Sequence, residues 1–318
     1  MDVFAKAVAK GMMNIAYAHG CLIRVKKNLH TSSGTAIREG MKESGAGRKV
    51  VKWLVSSGIA NDTEFLRNEA FGLLLMDFMV AEGLQEVALS WVQRAFQNRP
   101  ELPSGLRTKA HQDIVRPLML LLKSETKGLS CSSLDPAYSH LSRAAEMFKG
   151  LPSIQQRVLL SPPGSLLFAR TLYSTHQTPS MAGFESFVRL VPTFSTQVDR
   201  TIAHLNLHHP TSPSSELALA YLKKQSTILE TKPMLGSWPY VPGTKVMQGH
   251  ILLGLDTAKF LLEKNRTSDA EWVMEFLRSN FPKEFGIRTG TLNYNNERIE
   301  MADAEVLSLK LLGGLSLA

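Results

Sequence analysis

Cysteine is almost absent from this chain of 318 residues, which contains only Cys21 and Cys131. Two thiols cannot supply the disulfide framework of a small secreted domain or a four-cysteine zinc site. Cys21 lies in a basic N-terminal segment, and once that segment is removed Cys131 forms neither an internal disulfide nor a thiolate metal site. We expect Cys131 to be a passive loop residue, because no neighbour in the sequence is suited to activating its thiol.

Long apolar runs are also lacking. A membrane-spanning helix needs ~20 consecutive apolar residues, whereas the strongest runs here, residues 73–80 and 118–122, are much shorter. The sequence therefore predicts no transmembrane segment. We expect a mature protein that is soluble or touches a membrane only peripherally.

Motifs for nucleotide binding and nucleophilic catalysis are missing as well. The sequence contains no Gly-x-Ser-x-Gly, no dinucleotide fingerprint and no EF-hand loop. The stretch Gly45-Ala-Gly-Arg-Lys49 lacks the spacing of a phosphate-binding loop, and we interpret it as a flexible basic linker. We therefore predict no catalytic residue and no cofactor, and we favour a non-enzymatic protein.

The first 37 residues are basic and nearly free of acid. Their only acid is Asp2, and their five cations are Lys6, Lys10, Arg24, Lys26 and Lys27. Apolar residues recur between Val3 and Ala16 at helical spacing, which is typical of a mitochondrial transit peptide. We predict such a peptide over residues 1–35, with cleavage between Leu29 and Thr35 and delivery to the mitochondrial matrix. The alternative is that residues 3–18 form the first core helix of a soluble protein.

Half of the net charge belongs to this segment. The chain carries 36 cations and 28 acids, a net charge of +8. Removal of five cations and one acid leaves 31 against 27, a net charge of +4. The net charge of the whole chain therefore overstates the positive charge that the mature protein has for binding a nucleic acid.

The remainder of the chain has the apolar periodicity of helices. Two helical hairpins are the clearest units, one over residues 61–97 and one over residues 244–280. We predict their second helices over residues 85–97 and 270–280, with Asn61 or Asp62 as the N-cap of the first hairpin and Ser268 as the N-cap before residue 270. Each hairpin has a Trp-Val pair in its second helix and a proline soon after it. Their size is that of the hairpins in tetratricopeptide arrays, but the Trp-x-x-Leu-Gly signature and a tandem period are missing. We predict an all-α fold of stacked antiparallel helical hairpins with little or no β-structure.

Further helices and breaks complete the expected organisation. We predict a turn at residues 161–164 between two helices, and a break or kink at Pro192. The predicted helices outside the two hairpins are 50–55, 106–123, 135–148, 153–160, 165–176, 184–191, 193–206, 216–229 and 296–312.

A proline-rich stretch is the best candidate for a boundary. Residues 232–243 contain three prolines together with Trp238 and Tyr240. We predict a helical domain over residues 45–231, a linker over 232–243, and a C-terminal hairpin with a terminal helix over 244–318. Trp238 and Tyr240 are candidate partner-binding residues, since rigid aromatic side chains suit an interface. A linker held against the core is the alternative.

His204 and His208 are the only pair with the spacing of metal ligands on a helix. Residues i and i+4 lie on the same helix face, which suits zinc. The sequence near them offers no third ligand and no general base, and Pro210 ends the helix. We therefore predict no metal site and interpret both as helix-terminal histidines that face the negative end of the helix dipole. Metal binding or an active site at this pair is the alternative.

Positive charge is concentrated in the middle of the chain. Residues 99–170 hold ten cations and five acids, which could bind a phosphate backbone or could match acids elsewhere in the chain. The candidate contact residues for RNA or a partner are Arg99, Arg107, Lys109, Arg116, Lys123 and Lys127. Our leading hypothesis is a matrix protein of organellar gene expression that binds RNA, the mitoribosome or a partner protein. The alternative is an assembly factor or chaperone for a respiratory complex, acting through protein–protein contacts.

Overall fold

The computed structural model describes residues 2–29, 34–98, 108–127, 133–173, 177–231, 245–282, 284 and 285. Within these ranges the chain forms fourteen α-helices and two short 3-10 helices, and it forms no strand. The prediction of an all-α fold is confirmed, and antiparallel neighbours such as residues 245–263 and 267–280 pack as helix pairs. The helices are α1 (Asp2–Ala9), α2 (Ile15–Asn28), α3 (Gly34–Ser44), α4 (Ala46–Ser56), α5 (Glu69–Ala81), α6 (Gln85–Gln97), α7 (Lys109–Glu125), α8 (Asp135–Met147), α9 (Ser153–Tyr173), α10 (Met181–Phe194), α11 (Val198–Leu207), α12 (Glu216–Thr231), α13 (Lys245–Glu263) and α14 (Thr267–Asn280).

The helices form two compact units, Met1–Val198 and Asp199–Ala318. The predicted linker 232–243 lies outside the described residues, as does the predicted terminal helix 296–312. No helix in the described part of the chain has both the length and the apolar character needed to cross a bilayer.

The helix α5 lies at the centre of the first half of the N-terminal unit. Phe71, Leu75 and Phe78 are fully buried in it, and α2, α3, α4 and α7 pack around it. Its N-cap is Asn68, whose side chain accepts a hydrogen bond from the backbone N–H of Phe71 at 3.1 Å. Gly83 ends the hairpin turn with φ of 74°, a conformation that glycine adopts without steric cost.

The start of this helix differs from the prediction. We expected it to begin at residue 61 or 62, but the chain first makes 3-10 turns over Ile59–Asn61 and Glu64–Arg67. The side chain of Asp62 accepts a hydrogen bond from the N–H of Glu64 at 2.8 Å, which favours a local turn over a continued helix.

The N-terminal segment contains two helices instead of one. Gly11 has φ of 65°, which ends α1, and the Asn14 side chain caps α2 by accepting from the N–H of Tyr17. Leu22 is fully buried where α2 packs on α5, and Phe4 makes an edge contact with Trp53 at 6.4 Å between ring centroids. The predicted transit peptide is therefore packed against the N-terminal unit here, and its cleavage stays a prediction.

Prolines do not break the helices where we expected. A single helix, α9, runs through Pro162 and Pro163, and α10 runs through Pro192 and ends at Phe194. The predicted turn at residues 161–164 is wrong, and so is a helix break at Pro192. The reason is tertiary packing: Pro163 is buried, and Gly164 lies directly against the ring of Phe194. Such contacts offset the hydrogen bonds that proline removes from a helix.

The C-terminal unit has its own core. Fully buried side chains from α12, α13 and α14 meet there, and the last turn of α11 contributes Ala203 and Leu207. The turn between α13 and α14 contains Asn265 with φ of 58°, a left-handed conformation that asparagine tolerates. We expected Ser268 to cap α14, but the helix already begins at Thr267 and its N-cap is Arg266. That prediction is wrong.

Candidate functional site

The predicted contact surface is only partly within the described residues. Arg99, Arg107, Trp238 and Tyr240 lie outside them. The other four candidates, Lys109, Arg116, Lys123 and Lys127, lie on α7 or directly after it. The structure thus places one helix at the centre of the predicted basic surface.

Three of these four cations are paired with carboxylates of the same chain. Lys123 Nζ lies 2.6 Å from an oxygen of Glu69. The hydrogen bond and the positive charge of Lys123 lower the pKa of Glu69, as expected for an ion pair. Lys127 Nζ lies 3.6 Å from Asp77, a carboxylate that also pairs with Lys26 at 3.0 Å.

Arg116 belongs to a second cluster around a buried acid. Its Nη2 atom lies 3.5 Å from Asp113, while Arg67 Nη2 lies 2.9 Å from the other oxygen of the same carboxylate. Lys109, in the first turn of α7, is exposed, as is Lys127, but it has no ion-pair partner among the described residues. The charge that the sequence predicts as a phosphate-binding surface is therefore largely matched within the chain.

A different group of side chains meets in the C-terminal unit. His204, in the last turn of α11, His208, just beyond its end, and Asp256, in the middle of α13, each offer one ligand atom, and these atoms lie within 4.8 Å of one another. His204 Nε2 and Asp256 Oδ2 are 2.7 Å apart, the distance of a hydrogen bond. His204 is almost fully buried, and the side chain of Asp256 is about one-quarter exposed, at 26%. Two imidazoles and one carboxylate form the donor set that zinc and related divalent metals use.

His208 is the unusual member of this group. Its Nε2 atom is out of reach of solvent and has no hydrogen-bond partner in the described part of the chain. Burial lowers the pKa of His208, and the nearby His204 lowers it further, so the ring is neutral near pH 7. A neutral imidazole with a free lone pair is the form that coordinates a metal.

Asp256, the third member of the group, is not indicated by the sequence around the two histidines. Asp256 lies 52 residues from His204, and only the packing of α13 beside α11 brings them together. A local signal existed, since Asp256 is the only charged residue in the run from His250 to Ala258. An isolated acid in an apolar helix usually has a specific partner.

A second buried histidine in this unit has a purely structural environment. His250 donates from Nδ1–H to the carbonyl of Val246 at 2.8 Å, and its Nε2 accepts from the hydroxyl of Tyr221 at 2.7 Å. Arg200 donates to the same carbonyl at 2.8 Å. Burial lowers the pKa of His250 and the charge of Arg200 lowers it further, which favours the neutral ring. A neutral imidazole has one nitrogen that donates and one that accepts, as these two hydrogen bonds require.

This environment predicts a pH dependence for the C-terminal unit. As pH falls below about 6.5, residue 250 binds a proton in the unfolded chain. In the folded unit it does not bind one at the same pH, because its pKa is lowered. The free energy of unfolding should therefore decrease as pH falls through this range, and His250→Gln should show a smaller decrease. Urea unfolding near pH 7.5 and near pH 5.5, followed by the fluorescence of Trp238 and Trp272 in a Trp53→Phe, Trp91→Phe background, measures the difference. Equal pH dependence in the two proteins would contradict the prediction.

Comparison of the chain with protein-family models, with curated proteins and with solved structures finds no match.

Proposed function

We propose that this chain is a non-enzymatic helical protein that acts by binding a protein partner, in the mitochondrial matrix to which its first segment points. Of the two hypotheses drawn from the sequence, this is closer to an assembly factor or chaperone than to an RNA-binding protein. The observation that carries the choice is the pairing of Arg116, Lys123 and Lys127 with carboxylates of their own chain.

The pairing matters because of what drives binding to a phosphate backbone. Affinity for RNA comes largely from cations that replace the counterions of the phosphates. A lysine already beside a carboxylate would have to exchange one anion for another, so it contributes less to that affinity. Among the described candidates, only Lys109 has no carboxylate partner in the described part of the chain, and one cation supplies little binding energy.

The basic, acid-poor composition of the N-terminal segment supports the proposed location, and its helices leave some apolar side chains exposed. Val3 and Met12 are each 60% exposed, and Tyr17 is 49% exposed. Lys6 and Lys10 lie between Val3 and Met12 in the sequence. A basic amphipathic segment of this kind suits the groove of an import receptor or an anionic membrane surface.

A pull-down from mitochondria tests the proposal. The full chain carrying a C-terminal tag is captured from isolated organelles with and without nuclease, and the bound proteins are identified. We expect the same protein partner in both samples. A partner that disappears with nuclease treatment would support the RNA or mitoribosome hypothesis instead.

Binding of purified protein to labelled single-stranded RNA provides the matched measurement. We expect only the weak affinity of non-specific binding, with Kd of ~10⁻⁴ to 10⁻⁶ M, and little change on Lys109→Glu or Arg116→Glu. Lys52→Glu, an equal charge change on exposed α4 surface outside residues 99–170, is the control. Tighter binding that weakens with salt and with Lys109→Glu, but not with Lys52→Glu, would overturn the proposal.

A further variant tests the reason given for weak RNA binding. Glu69→Gln removes the partner of Lys123 while keeping the size of the side chain. If internal pairing limits phosphate binding, this variant should bind RNA more tightly than the wild type, by up to about tenfold at low salt.

A further inference from the structure

We propose that His204, His208 and Asp256 bind a divalent transition-metal ion in the C-terminal unit, with zinc the best match to the three side chains. This inference goes beyond the proposed function and does not depend on it. It concerns a site within one unit, whereas the partner could bind anywhere on the chain.

The three ligand atoms lie within 4.8 Å of one another, so small movements of the side chains would bring them to metal-binding distances. Two ligands of a tetrahedral zinc ion lie about 3.3 Å apart when each bond is about 2.05 Å long. The His204 Nε2 to Asp256 Oδ2 distance is 2.7 Å, so these atoms need to separate by about half an ångström. The side chain of Asp256 is partly exposed, at 26%, and can rotate by this amount without disturbing the core. The metal would take the place of the hydrogen bond between His204 Nε2 and Asp256 Oδ2.

A second observation, independent of the distances, is that the Nε2 atom of His208 is buried without a hydrogen-bond partner in the described residues. A buried polar atom without a partner is rare in folded proteins, and each one calls for a physical explanation. The Nε2 atom of His208 is such an atom, while the ring lies 6.0 Å from that of His204 between centroids. A metal ion between the two rings and Asp256 would satisfy this lone pair.

The charge around the cluster favours a cation. His204 lies in the last turn of α11 and His208 directly follows it, so both are at the negative end of the helix dipole. Asp256 adds a negative charge. Lys259 acts in the opposite direction, but its side chain is exposed to solvent, which screens its charge.

The three side chains leave a coordination position open. A structural zinc site usually has four protein ligands, whereas three ligands leave the fourth position for water or for a group of another molecule. Imidazole nitrogen is a poor ligand for magnesium and calcium, which prefer oxygen. We therefore expect binding of Zn²⁺ and no comparable binding of Mg²⁺.

Calorimetric titration of the full chain with Zn²⁺ tests the proposal. The protein is purified with a tag that contains no histidine, treated with a chelator, and titrated near pH 7. We expect one zinc ion per chain with Kd of about 1 µM or below, and an increase in Tm when zinc is added. His208→Gln and Asp256→Asn should each weaken binding by at least about tenfold.

His209→Gln is the matched control. His209 is adjacent in sequence, but its Nδ1 atom accepts from the backbone N–H groups of Thr211 and Ser212, and it is not a member of the cluster. This variant should bind zinc as the wild type does. Circular dichroism establishes that each variant remains helical.

Nuclear magnetic resonance of the imidazole nitrogens gives a second measurement that needs no variant. Of the nine histidines, only His204 and His208 should show the large nitrogen shifts of metal coordination when Zn²⁺ is added. Absence of zinc binding, or binding that is within about threefold of wild type in both His208→Gln and Asp256→Asn, would overturn the proposal. The bond between His204 and Asp256 would then be a structural link between α11 and α13.

Discussion

Replacement of Phe187 by alanine is expected to lower the free energy of unfolding of the N-terminal unit by about 3–5 kcal/mol. Phe187 is fully buried on α10 and lies between two other aromatic rings. Its ring stacks on Tyr138 at 4.6 Å with an interplanar angle of 6°, and on Phe194 at 5.6 Å with an angle of 18°. Alanine would leave a cavity between α8 and α10 and remove both stacking contacts, each worth roughly 0.5–1.5 kcal/mol beyond the buried area.

Urea unfolding measures this loss. In a Trp238→Phe, Trp272→Phe background, the fluorescence comes from Trp53 and Trp91, which both lie in the N-terminal unit. Met181→Ala is the control, because Met181 is on the same helix and 52% exposed, and it should cost less than about 0.5 kcal/mol. A loss below about 1 kcal/mol for Phe187→Ala would show that the aromatic stack does not have the packing described.

Gly164→Ala should also destabilise the N-terminal unit, although alanine is the better helix former. Within a helix interior this substitution normally gains about 0.5–1 kcal/mol. At residue 164, a Cβ atom would overlap the ring of Phe194, which is held by its stacking on Phe187. A rigid ring cannot move aside as a flexible side chain can, so we expect a net cost of about 1–3 kcal/mol.

Gly20→Ala is the matched control for this prediction. Gly20 lies inside α2, and an added Cβ would meet no atom within 4 Å, so the substitution should stabilise the protein. A double variant, Gly164→Ala with Phe194→Leu, should lose less than the sum of the two single losses, because the clashing ring is gone. If Gly164→Ala stabilises the protein as much as Gly20→Ala does, the close packing of α9 and α10 is wrong.

These two predictions concern the part of the fold that local sequence signals described least well. We expected a turn at residues 161–164 and a break or kink at Pro192, since proline disrupts an isolated helix. Both helices continue because the residues around these prolines are buried against each other. By contrast, α6 has the predicted bounds, Gln85–Gln97, because Gly83 before it and the apolar spacing within it are local features.

The candidate site likewise combines a local feature of the sequence with contacts that only the folded chain makes. The spacing of His204 and His208 is a property of one helix and is visible in the sequence. Asp256 belongs to a different helix, and nothing near the two histidines indicates that it approaches them. The acids that pair with Lys123 and Lys127 are likewise on α5, far along the chain from α7.

The sequence by itself determined the helical class of this protein, the bounds of its clearest helices and the lack of any long apolar run. These properties depend on residues within a few turns of one another, where apolar periodicity and glycine act directly. The tertiary structure alone decided that prolines are kept inside α9 and α10, that most described cations of α7 are matched by acids, and that Asp256 joins two histidines. The physical reason is that burial and charge pairing depend on which surfaces meet, and distant segments meet only when the chain folds.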